Sequence, residues 1–193
     1  MVKASKLSKS YGLKRVLNKV DVELDAGGFL LVTGPNGSGK TTLLRVLAGL
    51  DAPTAGKVVL PERALIGYLG HEPLVYRELS PLQNLHLFGR LYRVPDRAER
   101  IGMLLERFGL WEVRDDQVGT FSRGMRQRLG LCRVLLHDPE LVILDEPFNA
   151  LDEAGSLLLD ATLDDLLPRS AVIVATHDPG RVERLATQRL AFG

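Results

Sequence analysis

One segment of the sequence combines glycines, a lysine and a threonine at a spacing suited to holding phosphate. Residues 34–41 read Gly-Pro-Asn-Gly-Ser-Gly-Lys-Thr and match the pattern Gly-x-x-x-x-Gly-Lys-Ser/Thr. Glycines let backbone N–H groups close around phosphate oxygens, and the lysine adds a point charge. The segment follows an apolar run, Phe29 to Thr33, and precedes a helical pattern, Thr42 to Leu50, as this motif requires. The residues expected to contact a bound phosphate compound are Gly34, Pro35, Asn36, Gly37, Ser38, Gly39, Lys40, Thr41 and Thr42.

Two carboxylates stand where a second apolar run ends. Asp145 and Glu146 follow Leu141 to Leu144, which is typical of a buried parallel strand. Ligands of open α/β sheets collect at the carboxyl edge of the strands, so both side chains are expected to face the phosphate loop. Asp145 can then hold Mg²⁺ with the Thr41 hydroxyl, and Glu146 can polarise an attacking water. A solvated strand end is the alternative interpretation.

A histidine and a serine extend this set. A third apolar run, Ala171 to Ala175, precedes His177, so the imidazole is expected at the same sheet edge. Ser122 and Gly124 stand at the start of a helical pattern that continues to Leu136. That position suits a helix cap and an anion site equally well, and the sequence leaves both open.

The composition is that of an ordinary folded domain. The chain has 193 residues, of which 45% are hydrophobic and 25% charged. Its 25 Lys and Arg balance 24 Asp and Glu, so no overall field favours a nucleic-acid partner. Cys132 is the single cysteine, no secretion signal is visible, and the apolar runs fall short of the roughly 20 residues that span a bilayer. A cytoplasmic setting is expected, and any membrane must be crossed by another chain.

The elements between these motifs predict an α/β domain. Val16, Val20, Val22 and Leu24 alternate with polar residues, which predicts a half-buried strand in an antiparallel N-terminal β-layer. Helical spacing at 81–93 and 97–108, without strand signals, predicts an inserted helical part. We expect a single domain over 1–193, with a core of about 1–71 and 136–193 and a helical subdomain of about 72–135.

Taken in chain order, these motifs resemble the ATP-binding cassette family over nearly the whole sequence. The resemblance rests on the phosphate loop, the Ser122-Arg-Gly-Met stretch, the Leu144-Asp-Glu-Pro segment and the late His177. It implies a three-layer P-loop NTPase fold and Mg²⁺-dependent ATP hydrolysis. It also implies two partners, a second copy that binds head to tail and a membrane permease, with no nucleic acid. The chain would then lie peripherally at the cytoplasmic face of the inner (plasma) membrane.

The resemblance also implies roles for single residues. Glu146 looks like the catalytic base, and His177 like the histidine that contacts the γ-phosphate. Tyr11 looks like the aromatic residue that stacks on adenine, although packing at a strand end is the alternative. Asp152 looks like part of the loop that crosses the dimer interface, although a helix N-cap is the alternative. Ser122 and Gly124 would touch the γ-phosphate held by the partner subunit.

Two departures from the family pattern stand out. The usual Leu-Ser-Gly-Gly-Gln signature is changed, because Phe121, Arg123 and Met125 replace its Leu, first Gly and Gln. His71 occupies the place of the glutamine that senses magnesium, so we expect an imidazole near the metal.

Local phrases such as Gly70-His71 and Asp-Glu-Pro-Phe-Asn-Ala-Leu-Asp resemble the ATP-binding subunits of haem exporters used in cytochrome c maturation. Two other readings stay open. A soluble ATP-switched protein of the family would need no membrane partner. A small-molecule kinase would need an arginine-rich lid, for which the available residues are Arg90, Arg93, Arg97 and Arg100.

Overall fold

Two β-sheets of different kinds organise the protein, described here by a computed structural model of residues 1–193. The strands are β1 (Val2–Tyr11), β2 (Lys14–Leu24), β3 (Phe29–Thr33), β4 (Ala55–Val59), β5 (Ile66–Leu69), β6 (Leu141–Asp145), β7 (Ala171–Ala175) and β8 (Gln188–Ala191). The helices are α1 (Lys40–Leu47), α2 (Pro81–Leu91), α3 (Arg97–Arg107), α4 (Arg123–Leu135) and α5 (Glu153–Leu166). None of the helices is long and apolar enough to cross a membrane.

A five-stranded sheet with the order β5-β6-β7-β3-β8 forms the centre, and all its pairings are parallel. The three predicted apolar runs form β3, β6 and β7, because strands covered on both faces need apolar residues throughout. Phe29 and Leu31 pack into one core cluster, while Leu30 and Val32 pack into another. The sheet is therefore the middle of three layers, as predicted.

An antiparallel sheet with the order β2-β1-β4 lies on one side, with α1 between the two sheets. The alternation predicted for β2 holds at Val22 and Leu24 but is wrong at Val16. Leu17 is fully buried instead, and Val16 is only half-buried. The pairing of β1 with β2 shifts in register between Leu17 and Val20, where Lys19 adopts a left-handed backbone with φ 50° and forms a bulge. Such a bulge inserts a residue, and the side chains that follow exchange faces.

The helices α2, α3 and α4 follow one another between β5 and β6. They share a core with α5 on the opposite face of the central sheet. Their apolar positions, such as Leu85, Ile101 and Leu129, are fully buried there, as the helical spacing predicts. Strand β5 begins at Ile66, directly after a 3-10 turn that ends at Leu65. The division into core and helical subdomains stays a prediction.

Candidate functional site

The loop between β3 and α1 depends on its glycines. Gly34, Gly37 and Gly39 have φ values of 146°, 80° and 110°, in the region that side-chain-bearing residues avoid. A Cβ at Gly34 would lie 2.7 Å from the Phe192 carbonyl oxygen, so space as well as backbone conformation demands glycine there. The loop ends at Lys40, where α1 begins, so the helix N-terminus points its free N–H groups at the loop.

The Lys40 ammonium is held inside this loop. Its Nζ donates to the carbonyl oxygens of Gly34 at 2.6 Å and Pro35 at 3.2 Å. The Glu146 Oε1 atom lies 4.0 Å from the same nitrogen. Although the side chain is almost wholly buried, its charge is therefore balanced by backbone dipoles and one carboxylate.

Thr41 and Asp145 meet from opposite ends of the sequence. The Thr41 hydroxyl donates to Asp145 Oδ2 at 2.7 Å, which joins the first turn of α1 to the end of β6. Burial raises the pKa of Asp145 above its usual range, and the Thr41 hydrogen bond opposes that effect. The sheet therefore brings together the two residues predicted to hold a metal, although they lie 104 positions apart.

These groups fit a magnesium ion bound with a phosphate compound. The donors are a hydroxyl and a carboxylate, which are hard oxygen ligands, and no group of three His, Cys, Asp or Glu could hold a metal alone. Magnesium suits such a set, since it keeps several waters and is completed by substrate phosphates. The Ser38 hydroxyl in the same loop is buried without any hydrogen-bond partner, as expected of a group that awaits a ligand oxygen.

Glu146 and His177 form a pair beside the loop. Glu146 has a left-handed backbone with φ 50°, and its N–H donates to the Ala175 carbonyl at 2.8 Å. This turn fixes the carboxylate with 10% exposure, while its Oε2 lies 2.9 Å from His177 Nδ1. The imidazole is 58% exposed, so its other nitrogen is open to a ligand. A non-glycine residue in this backbone region is typical of functional sites.

The side chains of Lys40, Thr41, Asp145, Glu146 and His177 line one cavity of about 370 Å³. The predicted residues that it brings together are Asn36, Gly37, Gly39, Lys40, Thr41, Thr42, His71, Asp145, Glu146 and His177. Val16 and Asn149 also line it, and they were not predicted as site residues. Asn149 could have been found from the sequence because it follows Glu146 by three residues, and its N–H donates to the Glu146 carbonyl in the same turn.

Seven predicted residues are not part of the cavity lining: Gly34, Pro35 and Ser38 lie within the phosphate loop itself, and Tyr11, Ser122, Gly124 and Asp152 lie elsewhere. The Tyr11 hydroxyl donates to Asp51 at 3.1 Å, and its ring is half-exposed. Ser122 caps α4 by accepting from the Met125 N–H at 3.1 Å, and Asp152 caps α5 in the same way. Both capping interpretations are therefore confirmed. The contacts of Tyr11, Ser122, Gly124 and Asp152 with nucleotide stay predictions.

Helix α4 touches the segments on either side of the cavity. Gln127 Nε2 donates to the Pro147 carbonyl at 3.1 Å, one residue beyond Glu146. A Cβ at Gly124 would lie 2.8 Å from the Ala150 carbonyl oxygen. One at Gly130 would lie 2.6 Å from Pro73, two residues beyond His71. The helix that starts at Ser122 is thus packed against both loops that carry site residues, a role for Gln127 and Gly130 that sequence reasoning missed.

Among known protein families, the model of the ABC transporter family matches residues 17–149 of this chain. This range holds the phosphate loop, α4 and the Asp145-Glu146 pair. The chain belongs to this family. The predicted fold class is confirmed by solved structures of this family.

Several relatives of this ABC cassette have similar identity. An uncharacterized ABC transporter ATP-binding protein of Bacillus subtilis, YxlF, is 37% identical over 195 residues, covering 97% of this chain and 66% of its own length. The aliphatic sulfonates import protein SsuB 1 of Nocardia farcinica is 41% identical, covering 93% and 73%. The cytochrome c biogenesis export protein CcmA of Pseudomonas syringae is 42% identical, covering 84% and 81%.

These relatives show how far the predicted subfamily is supported and how much of each relative's length the chain covers. Their names give different cargoes at nearly equal identity, so they do not single out the haem exporters. The chain spans about two thirds of the length of two Bacillus subtilis relatives, 66% and 62%.

Solved structures share the whole fold. An ATP-binding subunit of an ABC transporter aligns with TM-score 0.93 and 26% identity, covering all of this chain and 85% of the other. A dimeric post-hydrolysis state of an ATP-binding cassette, bound to ADP and Pi, aligns with TM-score 0.86 and 26% identity, covering 100% and 94%.

Proposed function

We propose that this ABC cassette hydrolyses ATP with Mg²⁺ as the motor subunit of a membrane transporter. The observation that carries the proposal is the convergence of three pairs in one cavity: Lys40 with the loop carbonyls, Thr41 with Asp145, and Glu146 with His177. Each pair suits one task in phosphoryl transfer, namely holding phosphate, holding metal and activating water.

The chain's own groups divide the work as follows. The loop N–H groups and Lys40 bind the phosphates of ATP, with the lysine exchanging its two carbonyl partners for phosphate oxygens. Thr41 and Asp145 would hold Mg²⁺, which neutralises phosphate charge when bound. His71 lines the same cavity as Thr41 and Asp145, which supports a place next to the metal.

Glu146 is the base that takes a proton from the attacking water. Its carboxylate is nearly buried and is fixed by the β6 turn and by His177, so it is positioned before substrate arrives. His177 keeps that orientation through Nδ1 and offers its exposed Nε2 to the γ-phosphate.

The test is Glu146→Gln, which keeps the side chain's shape and removes its charge and basicity. Because a general base contributes about 10²- to 10⁴-fold, phosphate release should fall by that factor while ATP binding is kept. Glu112→Gln is the matched control, since Glu112 is exposed and lies outside the cavity. A turnover within threefold of the parent protein would remove Glu146 from the mechanism.

We propose further that the working unit is a head-to-tail dimer. Ser122 and Asp152 lie outside the cavity of their own chain, and the cassette bound to ADP and Pi is dimeric. Ser122 and Gly124 of a second copy would then close each site and exclude water from the phosphates. Sedimentation of the Glu146→Gln protein should show a dimer with ATP and mainly a monomer without it. A monomer under both conditions would contradict this arrangement.

The transporter role needs a membrane permease that another chain supplies, with this subunit held peripherally at the cytoplasmic face of the membrane. Surface residues of the helical region support such a partner. Leu91 is 69% exposed on α2, and Tyr76 is 52% exposed while packing against Phe88. Copurification from native membranes should recover a multi-spanning protein with this chain. Recovery of the chain in the soluble fraction alone would favour the ATP-switched protein without a membrane partner.

The cargo that we propose is haem for cytochrome c maturation. Its support is the 42% identity to CcmA over 81% of that protein, together with the Gly70-His71 phrase. Replacing Lys40 by Ala in the chromosomal gene should then stop covalent haem attachment to c-type cytochromes while b-type cytochromes stay intact. In-gel haem staining measures this directly. A normal c-type pattern, with ATP hydrolysis shown in vitro, would assign the motor to another cargo.

A further inference from the structure

Asn149 lines the cavity that also contains Glu146 and His177, and none of the roles described above uses its side chain. Its backbone N–H donates to the Glu146 carbonyl at 3.1 Å, but its half-buried amide group has no hydrogen-bond partner in the protein. Asn84 shows the contrast, since its amide makes three hydrogen bonds to the backbone beside α2. The Asn149 amide is therefore free to bind a group that enters the cavity.

The turn after β6, which carries Asn149, is held in one conformation. Glu146 and Ala150 have left-handed φ values of 50° and 79°, although neither is glycine. Helix α4 supports the turn from below, because Gln127 Nε2 donates to the Pro147 carbonyl at 3.1 Å. Such backbone conformations persist where the surroundings fix them, and they concentrate at functional sites. The amide and the Glu146 carboxylate are therefore presented to the cavity by one rigid turn.

The chemistry of hydrolysis leaves a task for a second polar group next to Glu146. An attacking water must aim a lone pair at the γ-phosphorus, in line with the bond that breaks. His177 occupies Oε2 of Glu146 at 2.9 Å, so Oε1 is the atom left to accept one O–H of the water. A water held by one hydrogen bond can still rotate about it. An acceptor for the second O–H removes that freedom and fixes the direction of the lone pair.

We infer that Asn149 orients the attacking water by accepting its second O–H at Oδ1. The inference rests on the proposed hydrolysis of ATP with Glu146 as the base. In this step the water oxygen bonds to the γ-phosphorus, and one water proton passes to Glu146. The bond from the γ-phosphorus to the bridging oxygen breaks, and its electron pair stays on ADP. The second proton remains on the oxygen that joins the phosphate, so Asn149 neither gains nor loses a proton.

The first test is Asn149→Ala in the full chain. Because one hydrogen bond to the water is lost, kcat should fall about tenfold. The affinity for a fluorescent ATP analogue should stay within twofold of the parent value, since the water takes no part in holding the nucleotide. Asn18→Ala is the matched control, because Asn18 is exposed on β2 and contacts only Arg15, at 3.3 Å. A kcat within twofold of the parent value would overturn the inference. An equal loss of ATP affinity would also overturn it, because Asn149 would then bind phosphate.

A double variant provides a readout that a purely structural role would not change. Orientation of the water serves the base, so Asn149→Ala should cost less than threefold when Glu146→Gln is already present. Single-turnover hydrolysis of radiolabelled ATP measures these slow rates. A full tenfold loss on the Glu146→Gln background would show that the two residues act independently, and would refute the inference. Parental turnover in Glu146→Gln alone would instead contradict the proposed function, so the two failures are distinguishable.

Discussion

The close approach of Gly130 to Pro73 gives a sharp test of how α4 is packed. An added Cβ would fall 2.6 Å from the Pro73 Cβ and 2.9 Å from the Leu69 Cδ1. The proline ring has no rotamer by which to withdraw. Gly102 in α3 is the matched control, because a Cβ there would meet only the Trp111 ring, at 3.7 Å. Both glycines lie inside helices, so the substitution to alanine changes helix propensity by a similar amount.

Two energies of opposite sign decide the stability of Gly130→Ala: the gain in helix propensity and the cost of overpacking. Alanine is favoured over glycine inside a helix by about 1 kcal/mol, so Gly102→Ala should stabilise the protein by about that amount. Gly130→Ala has the same gain, but overpacking costs about 1–3 kcal/mol. The free energies of unfolding of the two variants should therefore differ by about 1–3 kcal/mol, with Gly130→Ala the less stable.

Urea unfolding followed by far-UV circular dichroism measures this difference, since variants with the same dependence on urea concentration differ in stability in proportion to their midpoint concentrations. Because Pro73 stands two residues after His71, we also expect Gly130→Ala to lower ATP turnover while Gly102→Ala leaves it unchanged. Equal stabilisation of the two variants would mean that α4 does not press on the Pro73 segment, and the reasoning would be refuted.

Three further predictions concern buried groups. Burial lowers the pKa of His137 below 6.5, so the stability that the neutral imidazole contributes is complete above pH 6.5 and is lost as the pH falls through the lowered pKa. The variant His137→Phe keeps a ring that can stack on Tyr92 but cannot be protonated. Between pH 7.5 and 5.5, urea titrations should therefore show a smaller loss of stability for this variant than for the parent protein. Burial raises the pKa of the Cys132 thiol, so Ellman's reagent should react only at the rate of unfolding, and a fast reaction in buffer would contradict that packing. Lys40→Ala should abolish binding of a fluorescent ATP analogue while the thermal midpoint changes little, since Nζ contacts only loop carbonyls and Glu146.

The centre of the fold could be predicted because its strands are apolar throughout. Phe29 to Thr33 and Leu141 to Asp145 are buried on both faces, and only parallel central strands need such runs. The contact between Asp145 and Thr41 could be predicted as well, because the carboxyl ends of parallel strands, where ligands bind, meet at one edge of the sheet. Local patterns were enough there because each run carries its own signal.

The edges of both sheets could not be predicted in this way. Strand β4 is largely exposed and contains Gly56, and β8 begins with Gln188 and Arg189, so neither shows an apolar period. The position of Tyr11 depends on a hydrogen bond to Asp51, 40 residues away, which no local pattern encodes. The role of Gln127 likewise depends on a carbonyl 20 residues along the chain.

The order of strands in the central sheet has a consequence for how the protein is made. β3 lies between β7 and β8, so its partners are residues 171–175 and 188–191. At roughly 5–20 residues per second, a ribosome needs about ten to thirty seconds to pass from the end of β3 to the end of β8. Both edges of this apolar strand lack their partners until β7 is made, and one edge stays free until β8 is made. During synthesis β3 is therefore open to wrong pairing for longer than a strand whose partners follow it directly in the sequence.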